Sequence, residues 1–209
     1  MTELEAINTL LGIIGEAPVD CLADISVNEI TDAALARRTL REVERDVQSE
    51  GWSWNTDFDV QLQKEQGTNQ FPLPSNQLGV KFSPNTYPNH QLVVRGNRVY
   101  DRINQTYEFD PEFQGPLLAD QMIMHLEWDE LPHQAQQYVT IRSARIYSDR
   151  YVNSNVIYTY TVQDEEYARA MLIRAEESQL NNNLLYGNDR GVGSGMAYIP
   201  AEGTRHRTR

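Results

Sequence analysis

The side chains that could bind a transition metal are four histidines and a single cysteine. They are His90, His125, His133, His206 and Cys21. No two of them stand at the short spacing that a zinc site uses, and the cysteine has no partner thiol. The sequence therefore predicts no metal site and no internal disulfide.

Two adjacent carboxylates, Asp129 and Glu130, are the best candidates for acid–base catalysis. A glycosidase, for example, needs two carboxyl groups on either side of the bond that it cleaves. Acidic residues that directly precede a helix started by Pro132 more often stabilise the positive end of that helix. We therefore predict no catalytic residue.

Glycines and tryptophans also lack the context of a binding site. Gly191, Gly193 and Gly195 follow the last predicted helix, whereas a phosphate-binding loop lies between a strand and a helix. Tryptophans at a helix exit are usually core or interface anchors and not platforms for sugars or bases. The sequence thus predicts no cofactor.

Residues 31–55 form the element around which the chain is organised. Apolar residues recur there at steps of three and four, which predicts one buried stripe on an amphipathic helix. Gly51 occupies the position of a left-handed C-cap, and we expect the chain to pass from there directly into a strand. The predicted core or interface anchors are Leu40, Val43, Val47, Trp52 and Trp54.

Composition predicts a folded, acidic domain. The 209 residues are 40% hydrophobic and carry a formal net charge of -12. Such a charge disfavours general binding to nucleic acid or to anionic membranes. Neither a membrane-spanning apolar run nor a signal peptide is visible, so we expect a protein made in the cytoplasm.

Hydrophobic periodicity changes twice along the chain. At both ends of the chain, apolar residues recur with helical spacing. The region between them has alternating apolar and polar residues, prolines and turn residues. We predict an α+β fold in which residues 1–57 and 129–186 form an antiparallel helix bundle. Residues 58–128 are predicted to form an inserted, small antiparallel β subdomain.

Local patterns predict several elements within this plan. Short strands are expected at residues 60–62, 71–73, 80–82 and 121–127. Gly96 and Asn97 form a typical two-residue hairpin turn. The last helix is predicted to bury a stripe of Ala168, Met171, Leu172 and Ala175.

Residues 187–209 are rich in glycine and show no period, which predicts a flexible C-terminal arm that becomes ordered only on a partner. The final stretch GTRHRTR holds arginines and no acidic residue, which favours an acidic partner surface. The predicted contact residues are Met196, Tyr198, Ile199, Arg205, Arg207 and Arg209.

Four stretches of the chain together resemble the tail tubular protein A family of short-tailed bacteriophages. In order, they are LEAINTLLGIIGEAPVDCL, DAALARRTLREVERDVQSEGWSWN, VRGNRVYDR and DELPHQAQQYVTIRSARIY. The resemblance is colinear over most of residues 4–180, and none of these motifs is a catalytic signature.

The resemblance implies a structural virion protein, the adaptor between head and tail. Such an adaptor forms a dodecameric ring that binds the capsid portal protein on one side and the tail nozzle, tail tubular protein B, on the other. Tail fibres attach near that junction, and DNA passes through the lumen without specific binding. The C-terminal arm would then bind the portal, and no membrane is a partner.

Two other classes of function stay open at this point. A tail-associated hydrolase that degrades polysaccharide would need two carboxylates that converge in a cleft. A sequence-reading DNA-binding protein would need a basic face, which this composition lacks.

Overall fold

The structure, a computed structural model, describes residues 1–25, 31–84, 86–110, 115–151 and 162–179. The helices in these ranges are α1 (Glu3–Ile14), α2 (Asp32–Ser49), α3 (His133–Tyr151) and α4 (Val162–Gln179). The strands are β1 (Thr56–Leu62), β2 (Gln77–Lys81), β3 (Leu92–Arg95), β4 (Arg98–Asp101) and β5 (Leu117–Met124). The helices come first and last along the chain with antiparallel strands between them, which confirms the predicted α+β fold.

Helix α1 begins and ends where its capping residues predict. The Thr2 hydroxyl accepts a hydrogen bond from the backbone N–H of Glu5, and the Glu5 carboxylate accepts one from the N–H of Thr2. This reciprocal pair satisfies two donors at the start of the helix. Gly15 ends it with a φ of 80°, a left-handed conformation that glycine adopts without strain.

Helix α2 buries the predicted stripe, and Gly51 follows it with a φ of 79°. The expectation that the chain then enters a strand directly is wrong, because a short 3-10 helix (Ser53–Asn55) comes first. Asn55 holds this turn closed: its side chain accepts from the N–H of Trp52 and donates to the carbonyl of Gln48. Only after Asn55 is the backbone free to pair with β5.

The three-stranded sheet has the order β1-β5-β2, and both pairings are antiparallel. In the β1–β5 register, Leu62 lies opposite Leu117 and Thr56 lies opposite Ile123. β5 therefore begins before, and ends before, the strand predicted at residues 121–127. Beyond Met124 the backbone N–H and carbonyl of His125 bond to Asn76, and those of Leu126 bond to the side chain of Gln48.

The second sheet is the predicted β3–β4 hairpin, whose turn at Gly96 has a φ of 60°. The strand predicted at residues 71–73 is wrong. Pro72 forms only an isolated bridge with Arg98, and the hydrogen bonds come from its neighbours: Val99 donates to the carbonyl of Phe71, and Leu73 donates to that of Asn97. Proline has no N–H to extend the ladder. The strand expected at residues 80–82 is β2, which ends before Phe82.

Buried apolar residues form two separate clusters. The helical cluster is built from α1 to α4 together with Trp52 and Trp128. The sheet cluster contains Phe71, Phe109 and Met122 with neighbouring strand residues. The buried residues of the helical cluster come from the two ends of the chain, up to residue 52 and from residue 128 onward. Those of the sheet cluster come from the region between them.

Ion pairs join α4 to α3 and to the residue after α2. Glu50 contacts both Arg142 and Arg169, and Glu165 contacts both Arg142 and Arg145. Each carboxylate bridges two guanidinium groups, so the pairs form one network and are not isolated contacts. The network fixes the orientation of α4 relative to α3.

The predicted stripe of α4 is only partly right. Ala168 and Leu172 are buried against the helical cluster, and Ala175 is half-buried. Met171, which was expected in the same stripe, is exposed. Consecutive side chains on a helix point about 100° apart, so Met171 lies at the edge of the stripe that Ala168 and Leu172 form.

Candidate functional site

A cleft of about 420 Å³ lies where the helices meet the sheet. One wall is formed by Glu3 of α1 and by Arg41, Glu44 and Arg45 of α2. The other wall is formed by residues 75–78 at the start of β2 and, after β5, by His125, Glu127 and Trp128. The cleft is lined mainly by charged and polar side chains, so it suits a polar partner better than an apolar ligand.

Glu44 is the most unusual group in the cleft. Only 6% of the residue is exposed, and its carboxylate accepts a hydrogen bond from the Gln48 side chain. Burial raises the pKa of Glu44 to about 7, and the nearby charge of Glu3 adds to this effect. Arg41 and Arg45 act in the opposite direction. At neutral pH the carboxyl is therefore close to half protonated.

Burial has the opposite effect on the pKa of His125, which lies on the other wall of the cleft. Burial and the positive charge of Arg45 lower the pKa of His125 below its ordinary value. Its imidazole is consequently neutral at pH 7. The cationic groups of the cleft at that pH are the two arginines of α2.

Gln48 is the link that positions the two walls. Its side-chain amide donates to the carbonyl of Leu126 at 3.0 Å and accepts from the N–H of Leu126 at 2.8 Å. Gln48 is fully buried and Leu126 is partly buried, so water has limited access to these bonds. Asn55 adds a second link through its donation to the carbonyl of Met124.

Gln48→Leu should destabilise the fold by about 1–3 kcal/mol, because it leaves both backbone groups of the partly buried Leu126 without their partner. Gln61→Leu, at an exposed position on β1, is the matched control and should change stability little. Urea denaturation measures both effects, and hydrogen exchange of the Leu126 amide reports the loss of the bond directly. Equal effects of the two substitutions would show that Gln48 does not hold the walls together.

The raised pKa of Glu44 predicts a pH-dependent stability. In the unfolded chain this carboxyl titrates near 4.5, but in the fold its pKa is about 7. The folded state therefore binds the proton more tightly, so the group stabilises the fold fully below pH 4.5. That contribution is lost as the pH rises from 4.5 to about 7.

Glu44→Gln removes this titration and keeps an oxygen that can accept from Gln48. At pH 8 we expect the variant to be more stable than the parent chain by up to about 3 kcal/mol. Near pH 4.5 the difference should disappear. Glu42→Gln is the control, because a hydrogen bond from Arg150 lowers the pKa of Glu42. Urea melts at both pH values test this, and a stabilisation independent of pH would contradict it.

Two arginines of α2 pair with one carboxylate on another helix. Arg37 contacts Glu3 at 3.0 Å, and Arg41 contacts the same carboxylate at 3.4 Å. These contacts join α1 to α2 beside the cleft. Arg45 forms no ion pair within the described ranges, so it is the cation of the cleft with no bound counter-charge.

The five predicted anchors lie together on one side of α2. Leu40, Val43, Val47 and Trp52 belong to the buried helical cluster, and Trp54 packs against it from a half-buried position. The rings of Trp52 and Trp54 are stacked with their centroids 6.4 Å apart, and the indole N–H of Trp52 donates to the carbonyl of Val47. Trp128, likewise buried, donates to the carbonyl of Met1. The side chains of these three tryptophans pack against other residues of the same chain.

Asp129 and Glu130 lie in a short 3-10 helix (Trp128–Glu130) that precedes α3. The Glu130 carboxylate accepts from the backbone N–H of Glu127 at 3.0 Å, so it caps this turn. Among the described residues, no group of three or more His, Cys, Asp and Glu side chains could hold a metal ion.

The sequence reasoning missed the role of Asp101 at the end of β4. This buried carboxylate accepts hydrogen bonds from His90 at 2.6 Å, from the N–H groups of Gln91 and Ile103, and from the side chain of Asn104. Burial acts to raise the pKa of Asp101, but the hydrogen bonds outweigh it and hold the pKa below its ordinary value. An acidic residue followed by turn residues at a strand end was the available signal.

The predicted arm contacts Met196, Tyr198, Ile199, Arg205, Arg207 and Arg209 lie outside the residues that the structure describes. In the described ranges, no helix is both long and apolar enough to cross a membrane.

A model of the tail tubular protein family matches residues 4–182, which include almost the whole of α1 and extend through α4. The chain belongs to the tail tubular protein family. Tail tubular proteins are structural components of the tails of podoviruses, so this chain is a structural protein of the virion tail. It assembles there with other tail components. No curated protein matches the chain.

Proposed function

We propose that this tail tubular protein is the head-to-tail adaptor of a short-tailed phage. In this role it forms a dodecameric ring that binds the portal protein on one side and the tail nozzle, tail tubular protein B, on the other. Tail fibres attach near the nozzle junction, and DNA passes through the lumen. The observation that carries the proposal is the family match, which includes both the helical part and the sheet.

The ion-pair network between the helices supports a role that requires mechanical stability. The carboxylates of Glu50 and Glu165 each bridge two arginines, and the hydroxyl of Tyr138 accepts from Arg169 at 3.1 Å. A network that joins three helical segments resists their sliding past each other, and a ring under pressure from packaged DNA needs that resistance.

The two separate apolar clusters support the division into parts. We propose that residues 1–57 and 129–186 form the ring body and that residues 58–128 form a β subdomain that faces a neighbour or the nozzle. The sheet cluster draws on residues 58–128, and the helical cluster draws on the other set apart from Trp128 and the half-buried Leu126 at the boundary. Residues 187–209 are the proposed portal-binding arm.

The net charge supports the passage of DNA without specific binding. A formal charge of -12 per chain gives an assembled ring a large negative charge. Phosphates are repelled by a lumen of the same sign, so DNA is not retained there.

The proposal is tested by order-of-addition binding to portal-bearing heads that lack tails. We expect the purified chain to bind these heads first and the nozzle protein to bind only afterwards. Heads that bind the nozzle equally well without this chain would contradict an adaptor role. Incubation of the same chain with capsular polysaccharide, with release of reducing ends as the readout, tests the hydrolase alternative.

A further inference from the structure

Ile103 is an exposed aliphatic residue in a tight turn. Its residue is 57% exposed, and it lies in the turn that follows β4, which we call the Ile103 turn (residues 102–105). Turns are usually built from glycine, proline, asparagine, aspartate or serine, and a branched aliphatic side chain has no local role in them. Single exposed apolar residues are normal on a protein surface, so exposure alone does not mark a binding site.

The Ile103 turn is closed by hydrogen bonds between the residues on either side of it. The backbone N–H of Asp101 donates to the carbonyl of Thr106 at 2.9 Å, and the N–H of Thr106 donates to the carbonyl of Asp101 at 3.3 Å. Between them Gln105 has a φ of 54°, a left-handed conformation that is uncommon for a residue other than glycine. Such conformations are concentrated at functional sites, because the surrounding structure must hold them in place.

The buried carboxylate of Asp101 fixes the backbone of the turn. One of its oxygens accepts from the N–H of Ile103 at 2.9 Å, and the other accepts from the side chain of Asn104 at 2.8 Å. The same carboxylate contacts His90 at 2.6 Å and the N–H of Gln91, which ties the turn to the segment before β3. These bonds order the turn before any partner is present, and that lowers the entropic cost of association.

Aromatic residues continue the exposed surface beside the turn. Tyr107 is 38% exposed, and its ring packs edge-on against Tyr100 with the centroids 4.8 Å apart. The guanidinium of Arg95 lies 3.8 Å from the centre of the Tyr100 ring. Tyrosine and arginine are enriched among the residues that anchor protein interfaces. Arg102 and Glu108 are both exposed, so the surrounding charges have mixed signs and the apolar side chains determine which partner fits.

We propose that the Ile103 turn inserts Ile103 into an apolar pocket of a different tail protein, which the proposed adaptor role identifies as the nozzle protein. The inference rests on that proposed function, in which residues 58–128 face a neighbour or the nozzle. The cleft beside Glu44 is lined mainly by charged and polar side chains, so it does not suit an aliphatic side chain from a second copy. This favours the nozzle protein over a neighbouring copy.

Binding of the nozzle protein to portal-bearing heads that carry this chain tests the contact. We expect Ile103→Ser to weaken that binding by about tenfold or more, because the apolar pocket then receives a hydroxyl group. Arg102→Ser is the matched control in the same turn, and we expect a loss of about threefold or less. Circular dichroism checks that both variants are folded. Equal losses of nozzle binding would overturn the proposal.

The accessibility of position 103 provides a second measurement. In a Cys21→Ser background, Ile103→Cys is treated with a maleimide dye in the isolated chain, in the chain bound to heads, and after the nozzle protein is added. We expect rapid labelling in the first two states and labelling slower by about tenfold or more in the third, because the side chain is then in the buried part of an interface. Denaturing gels separate this chain from other labelled proteins.

The outcomes of the labelling experiment separate the turn from the adaptor role. If the nozzle protein binds heads equally well without this chain, the adaptor proposal fails and the nozzle contact fails with it. If the nozzle protein binds through this chain while position 103 still labels rapidly, only the contact is wrong. Slow labelling before the nozzle protein is added would show that the turn is already covered. That result would also overturn the proposal.

Discussion

Leu40→Ala should lower the free energy of unfolding by about 2–5 kcal/mol, because it removes buried methyl groups and leaves a cavity. Leu40 is fully buried and lies in the helical cluster between α2 and its neighbours. The adjacent helices are held by ion pairs as well as by packing, so the site has limited freedom to collapse. The upper half of that range is therefore expected.

Arg41→Ala is the matched control for this prediction. The Arg41 side chain is 57% exposed, and its contact with Glu3 at 3.4 Å is shared with Arg37. An exposed pair of this kind contributes about 0–1 kcal/mol. Urea denaturation of both variants at one pH measures the difference. Equal losses of stability would mean that the buried face of α2 is not the face described above.

Deletion of residues 187–209 should abolish attachment to portal-bearing heads while the remaining chain stays folded. Ordering a glycine-rich segment costs considerable backbone entropy, which must be recovered from contacts with a partner. Met196, Tyr198 and Ile199 are the apolar residues available for such contacts. Without them the proposed portal-binding arm has no apolar anchor.

The basic end of the arm should have a smaller and different effect. Arg205→Ala, Arg207→Ala and Arg209→Ala each remove a contact worth at most about 1 kcal/mol if exposed, so they should mainly slow docking and weaken its salt dependence. Sedimentation of heads with bound chain measures attachment, and circular dichroism checks folding. Normal occupancy by the truncated chain would place the portal contact on the helical body.

Local rules account for the elements that local chemistry determines. Thr2 and Glu5 cap α1, the stripe that includes Leu40 gives α2, and Gly96 turns the hairpin. Each of these signals lies within a few residues of the structure it specifies. The order of helices and strands could be predicted because the spacing of apolar residues differs between helices and strands.

The features that the sequence did not reveal depend on distant partners. Where β5 ends, Asn76 contacts His125 across 49 residues and Gln48 contacts Leu126 across 78 residues. The cleft beside Glu44 likewise combines residues of α1, α2 and two loops. Nothing in the spacing of single residues predicts which buried polar group will find a backbone partner so far along the chain.

The functional assignment has a different basis from the fold. No catalytic signature was present in the sequence, and the family was identified from the order of four motifs, none of which has a chemical role. The cleft suits polar recognition, and its pKa shifts follow from burial and charge. Structural proteins of this kind act through surfaces, so we propose that the decisive residues are those that contact the partners, including the proposed portal-binding arm.

The adaptor proposal is tested most directly by electron cryo-microscopy of particles assembled from portal-bearing heads, this chain and the nozzle protein. We predict a dodecameric ring of this chain between portal and nozzle. Density for the chain at the tip of the tail or on the fibres, with portal and nozzle in direct contact, would contradict the proposal.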